Sequence, residues 1–445
     1  MQPTTTITSA PEKPSFKEAF LFWLKLGFIS FGGPAGQIGI MHTFLVEQKR
    51  WVSDSRFLHA LNYCMLLPGP EAQQLATYLG WLMHGVRGGL VAGILFVLPS
   101  VFILLGLSAV YVSYGAIPWV AALFYGLKPA VVAIVALALV KIAGKSLKTW
   151  LHYATAVLSF ILMYFLKVPF PLIILGAVAV AVVLRKIWPS FFQEKQETTQ
   201  QTQNEQSYYL NANSPVVGEG VSWGRSLVRF LITLALWAVP LALFYFFTRN
   251  FAFWQELISF FTKAALVTFG GAYAVLPYAA QVTVEEFQWL SKTEMIDGLA
   301  LGETTPGPLI MVLAFVGFMA GHNQYGGNLA MGAVGLFTTT FYTFLPCFFF
   351  ILAGAPFIER TRGNLALKSI LGLITAAVVG VILNLTVYFG AAVLFPASVS
   401  VDGLDYFALA WMVISFVAMY RFKVGMIPWI GISAMAGLGH YLLLN

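Results

Sequence analysis

Shifting the chain by 238 residues aligns Phe22–Pro70 with Phe260–Pro308 without a gap, and 13 of the 49 pairs are identical. Ordinary amino-acid usage gives roughly three or four by chance. A match at a fixed offset is an internal repeat, so the fold must be one that can be built twice. The identities include Phe22/Phe260, Lys25/Lys263, Phe31-Gly32-Gly33 with Phe269-Gly270-Gly271, Glu47/Glu285, Trp51/Trp289, Ser53/Ser291, and Pro68-Gly69-Pro70 with Pro306-Gly307-Pro308. Farther on, Gly88-Gly89 matches Gly326-Gly327, and Leu98-Pro99 matches Leu345-Pro346 after a small insertion.

The repeated unit is built for lipid. Hydrophobic residues make up 59% of the chain, charged residues 10%, and the mean hydropathy is +0.80; a soluble domain carries roughly 25% charged residues. The apolar residues come in runs near helix-spanning length rather than in strand-length alternation, which excludes an outer-membrane barrel. The expected fold is an all-α polytopic membrane protein. The net charge of +7 does not point to nucleic acid, because no soluble domain is present to carry a reading surface. Cys64 and Cys347 each lie inside an apolar stretch and read as small buried hydrophobes.

Residues 1–17 form a polar tail, expected to be cytoplasmic, with no apolar core of a cleavable secretory signal. Residues 18–188 carry the first transport repeat, and 225–445 carry a connecting span and the second. Between them, 189–224 is polar and low in complexity and reads as a cytoplasmic linker. In the first half, Ala19–Phe31 with Pro34–Val46 and Phe57–Leu67 with Glu71–Met83 are pairs of half-span segments broken by glycine and proline. They read as helical hairpins or broken helices, followed by full spans near 89–113, 117–140, 150–166 and 169–184. One more span, near 226–247, precedes the second repeat, so five separate the two copies. Five is odd, so the second repeat is inverted.

The charges agree with inversion. Lys49, Arg50 and Arg56, then Lys141, Lys145 and Lys148, then Arg185 and Lys186 all fall on the cytoplasmic side. The matching loop Glu285–Asp297 holds Glu285, Glu286, Glu294 and Asp297 against Lys292 alone. Further spans are expected near 328–354, 364–390, 404–420 and 427–444, with Arg360, Arg362, Lys368, Arg421 and Lys423 inside and the C-terminus outside.

Inverted repeats whose matched helices are interrupted at midmembrane depth place a substrate site at the repeat interface. Such interruptions survive only where protein or a watery cavity satisfies the bare backbone. Four recur here: Gly32-Gly33-Pro34, Gly270-Gly271, Pro68-Gly69-Pro70 and Pro306-Gly307-Pro308. A helix starting after each break offers free amide donors and partial positive charge, which suits an anion. The plain alternative is that these residues only kink packed helices.

Lys25 and Lys263 stand seven residues before the paired glycines, inside apolar runs. They either snorkel or balance a dianion. Glu71 and Glu303 are the carboxylates expected nearest the midplane, where either can carry a coupling proton; Glu71 also suits the first turn of a helix. Gln73, Gln74, Thr304 and Thr305 add polar groups beside the same breaks. His42, His59, His84 and His322 form no ligand set, and neither metal nor cofactor is expected.

The phrases FISFGGPAGQIGIMHTFLVEQKRWVS and LLPGPEAQQLATYLG resemble the N-terminal half of chromate ion transporters, and VTFGGAYAVLPY with TPGPLIMVLAFVG resembles the C-terminal half. The resemblance covers nearly everything except the linker. It implies a long-chain, two-domain member that exports chromate across the bacterial inner membrane, driven by the membrane potential or by protons. It leaves sulfate, of the same shape and charge, open as the substrate, and leaves a homodimer open. Ala272 stands where the first repeat has Pro34, and Leu309 where it has Glu71, so the halves are expected to contribute unequally. An anion channel remains a competing reading, whereas an enzyme would need a nucleophile, paired carboxylates or metal ligands that do not stand out.

Overall fold

The computed structural model describes residues 12–65, 67–187, 207–211, 214, 223–269, 271–358, 365–396 and 403–444. These form α-helices with no named strand among the described residues, in the order α1 Phe16–Ile29, α2 Gly33–His42, α3 Asp54–Cys64, α4 Glu71–Tyr114, α5 Pro118–Ser146, α6 Trp150–Tyr164, α7 Phe170–Ile187, α8 Trp223–Phe247, α9 Phe251–Val267, α10 Ala272–Ala280, α11 Lys292–Thr304, α12 Val312–Gln324, α13 Leu329–Ile358, α14 Leu365–Leu394, α15 Tyr406–Tyr420 and α16 Met426–Leu444. Seven are long and apolar enough to cross a membrane.

The repeat seen in the sequence is a repeat of backbone. Helix α1 is capped by Ser15, whose Oγ accepts from Glu18 N, and it stops where Gly32 and Gly33 take φ of 87° and 69°. Only glycine adopts such angles cheaply. Helix α9 stops in the same way before Gly271, at φ 89°. Both α2 and α10 then run into a single π-helical turn, Thr43–Gln48 and Gln281–Glu286. Arg50 and Gln288 follow at φ 51° and 52°. Ser53 caps α3, and Ser291 caps α11 with Glu294 in a capping box.

Helix α4 is a hairpin. At His84 and Gly85 the backbone leaves helical geometry, with φ 64° at Gly85. The two limbs then pack so closely that a Cβ on Gly80 would stand 2.6 Å from Ala92 Cβ, and one on Gly93 would meet Thr77. Helices α12 and α13 form the matching hairpin through Gly326 and Gly327, packed on Gly317 and Gly335. Small residues allow such approach, which is how membrane helices gain contact without a hydrophobic driving force.

The remaining helices are exchanged between halves. Helices α6 and α7 pack on α14, while α15 and α16 pack on α5. At these seams a Cβ on Gly126 of α5 would lie 2.6 Å from Gly437 N of α16, and Gly380 of α14 abuts Ala156 of α6. Each half therefore completes the other. Five helical segments, the second limb of α4 and then α5 to α8, separate the two repeated segments, the odd number that the expected inversion requires.

Most of the 189–224 stretch lies outside the described residues, as do Gly270, Arg360 and Arg362. Within it, Leu210 is buried against the first repeat and forms a parallel bridge with Val52; Ser53 N donates to Leu210 O at 2.7 Å.

Candidate functional site

The four breaks pair across the repeats, two and two. Gly69 N donates to Thr268 O at 2.7 Å, and Gly307 N donates to Ser30 O at 2.7 Å. Ser30 and Thr268 are equivalent, as are Gly69 and Gly307, so the contacts are reciprocal. The first ties Pro68-Gly69-Pro70 to the start of α10. The second ties Pro306-Gly307-Pro308 to the start of α2, where Gln37 Nε2 also donates to Gly307 O at 2.5 Å and reaches Ser30 O at 3.4 Å. Helix ends carry orphan backbone groups, and here each break serves as partner for the other.

Equivalent side chains brace the two Pro-Gly-Pro turns. Ser100, one residue after Pro99, donates from Oγ to Pro306 O at 2.5 Å. Cys347, one residue after Pro346, sits against Gly69; a Cβ there would stand 2.6 Å from its Sγ. Gln74 Nε2 donates to Pro68 O at 2.7 Å, and Gln73 Nε2 to Thr77 Oγ1 at 3.1 Å. Gln37, Gln73 and Gln74 are fully buried, and the Oε1 of each finds no protein partner. Buried amides left half-satisfied mark a polar interior that water or a ligand completes.

The two crossings differ. Helix α2 has only Gln37 and Met41 buried, whereas α10 is buried along nearly its whole length. Both candidate carboxylates belong to the α10 side. A Cβ on Gly271 would lie 3.8 Å from Glu71 Oε1, so this first-repeat carboxylate faces the start of α10. Glu303, at the end of α11, accepts from Tyr273 on α10 at 2.7 Å. The centre thus gathers helix N-termini, two carboxylates, a tyrosine and buried amides, which suits an anion moved together with a proton.

Of the residues expected from sequence, Gly33, Gly69, Pro70, Glu71, Gln73, Gly271, Thr305 and Gly307 stand at or beside the crossings. Gly32 and Pro34 start α2 on its more exposed side. Thr304 and Thr305 turn their hydroxyls back onto Leu301 O, at 2.7 Å each. Gly270 lies outside the described residues. Lys25 and Lys263 keep their common register but are both exposed, and Lys25 lines a separate crevice of about 450 Å³ between α1 and α2. Gln37, Ser100 and Tyr273 have no role in the sequence reading, and Cys347 reads there only as a buried hydrophobe. The repeated Leu-Pro pair points to Ser100 and Cys347, but nothing local marks Tyr273.

A second polar group lies away from the crossings. Asp297 of α11 is buried, 3.6 Å from Lys128 Nζ of α5, and accepts from Tyr111 Oη of α4 at 2.9 Å. Among the described residues no cluster of His, Cys, Asp and Glu is placed to hold a metal.

Repeated half-helices that break at mutual contacts inside a polytopic helical bundle define a membrane transporter. The chain belongs to the chromate transporter family, whose description, "Chromate transporter", matches residues 17–183 and 255–438. It is 28% identical over 390 residues to a chromate transport protein of Cupriavidus metallidurans, covering 85% of this chain and 84% of that one. A chromate transport protein of Pseudomonas aeruginosa is 29% identical over 380 residues, covering 85% and 82%. An uncharacterized transporter of Methanocaldococcus jannaschii is 25% identical over 436 residues, covering 97% and 95%. The family is one of transporters rather than enzymes. No solved structure matches the chain.

Proposed function

We propose that this protein is a secondary carrier that exports chromate across the bacterial inner membrane, holding the anion at the crossing of α10 with Pro68-Gly69-Pro70. The observation that supports the reading is the enclosed start of α10, a helix N-terminus with no side-chain cap, beside Glu71 and Glu303. A tetrahedral dianion needs several donors at once, and helix N-termini supply them without burying a permanent cation. One of the two carboxylates carries the coupling proton.

The test is uptake of labelled chromate into inverted vesicles containing the full chain. Sulfate, molybdate and phosphate serve as competitors, and the proton gradient is collapsed in a parallel sample. Saturable uptake that fails without the gradient and yields weakly to sulfate is the expected result. Stronger competition by sulfate would reassign the substrate, and unsaturable flux indifferent to the gradient would make the protein a channel.

A further inference from the structure

A cavity of about 540 Å³ lies between the second limb of α4, α8 and α13, away from the break crossings. Its walls follow the repeat. Gly93 and Thr340, Ile94 and Phe341, and Leu98 and Leu345 occupy equivalent places in the register set by Leu98-Pro99 and Leu345-Pro346. The cavity therefore sits where the two halves meet, and its cover is α8, a helix outside both regions matched to the family. No described residue of α8 is buried. The helix leans on the axis without filling it.

Among the described residues, the lining is apolar except for Arg229, Thr233 and Thr340. Thr233 Oγ1 donates to Arg229 O and Thr340 Oγ1 to Leu336 O, so both hydroxyls are spent on their own helices. An apolar cavity of this kind rejects water and takes hydrocarbon. Arg229 holds one end, where its Nη1 donates to Leu352 O at 2.8 Å. Arg225 lies one turn nearer the start of α8, and Arg185 and Lys186 close α7 before the linker. This density of basic residues marks the cytoplasmic face, where the leaflet is anionic. From Val86 to Val101 the wall runs roughly 22 Å along α4, at about 1.5 Å per residue, more than the roughly 15 Å hydrocarbon depth of one leaflet.

We propose that this cavity binds one acyl chain of an anionic phospholipid, with its phosphate against Arg229. The lipid fills the gap between α8 and the repeat axis and packs against Leu98 and Leu345, which stand next to Pro99 and Pro346. The site recognises a phosphodiester by charge and a single alkyl chain by shape.

The experiment uses the purified full chain from membranes containing phosphatidylethanolamine and phosphatidylglycerol, washed extensively in detergent. Retained phospholipid is extracted and quantified per chain, and the retained ratio of the two lipids is compared with that of the membrane. Wild-type protein should retain phosphatidylglycerol enriched over the membrane ratio. Arg229→Gln should lower that enrichment roughly fivefold, the effect of one basic residue on an anionic headgroup. Leu236→Trp, which fills the cavity from α8, should lower retained lipid of both kinds while the protein still elutes as a single species. Retention equal in wild type and Leu236→Trp, or a retained ratio equal to that of the membrane, would overturn the proposal. So would cross-linking that finds a second copy of the chain seated over the cavity.

Discussion

The amide of Gly69 donates to the carbonyl of Thr268 at 2.7 Å, joining the Pro-Gly-Pro turn of one repeat to the helix break of the other. Gly307 and Ser30 repeat the bond at the equivalent place. Each pair brings together two interruptions that lipid would otherwise penalise by several kcal/mol per unsatisfied group. These seams join the two repeats, so alterations at either glycine affect both copies.

Gly69→Ala and Gly307→Ala should each destabilise the protein and abolish transport. Their φ angles are 126° and 102°, and a Cβ at Gly307 would run into Ser100. Backbone strain of this kind costs about 1–3 kcal/mol. Thermal unfolding of the purified variants checks it, with Gly39→Ala as control because open space surrounds Gly39. Equal melting of all three would contradict the packing described.

Coupling is tested at the carboxylates. Glu71→Gln or Glu303→Gln should give chromate flux that no longer varies with pH while anion binding persists. Tyr273→Phe, which removes the donor to Glu303, should reduce the rate but keep a pH-dependent flux. If both Gln variants retain the wild-type profile, the proton travels elsewhere.

Inversion of the repeats is tested by labelling intact cells with an impermeant thiol reagent. Gln48 and Glu286 are equivalent and both exposed, whereas Ser53 is buried and unsuitable although its partner Ser291 is exposed. Glu286→Cys should react and Gln48→Cys should not. The native Cys64 and Cys347 are buried and contribute no background. Equal reaction at both positions rejects the inverted arrangement.

For the anion's counter-charge, Lys25→Gln and Lys263→Gln should leave chromate affinity almost unchanged, because both side chains are exposed. A cation about 4 Å from the anion is worth roughly 4 kcal/mol in a partly screened site and about 1 kcal/mol in bulk water. Apparent affinities in vesicles decide it, and a loss near the larger figure at Lys25 or Lys263 would move the anion out of the α10 crossing.

Asp297 and Lys128 link α11 to α5. Lys128→Met leaves a buried carboxylate without its cation and should cost roughly 3–5 kcal/mol, most of it regained in the double variant Lys128→Met with Asp297→Asn. Denaturant or thermal titration of the three proteins reads the difference. A double variant as unstable as Lys128→Met would show that the pair is not coupled.

The sequence by itself determined the helical membrane class, the two-fold build and the position of every break, because these depend on local chemistry. Glycine at positive φ, proline at helix starts and apolar runs of spanning length act within a few residues. The offset of 238 carried the same signals into both copies. It even announced an unequal site, through Ala272 and Leu309 in place of Pro34 and Glu71. Only the tertiary structure decided which break meets which. Gly69 and Thr268 are far apart in the chain, and no local preference records that they bond. The same holds for Tyr273 with Glu303, where the bond follows from the fold setting α10 beside the end of α11. For Lys25 and Lys263 the sequence supplied a shared register, but the direction of a side chain depends on which face of α1 and α9 is buried. That face was chosen by Phe22, Trp23 and Leu26 in the first helix and by Phe260, Phe261 and Ala264 in the second, and it leaves both ammonium groups exposed.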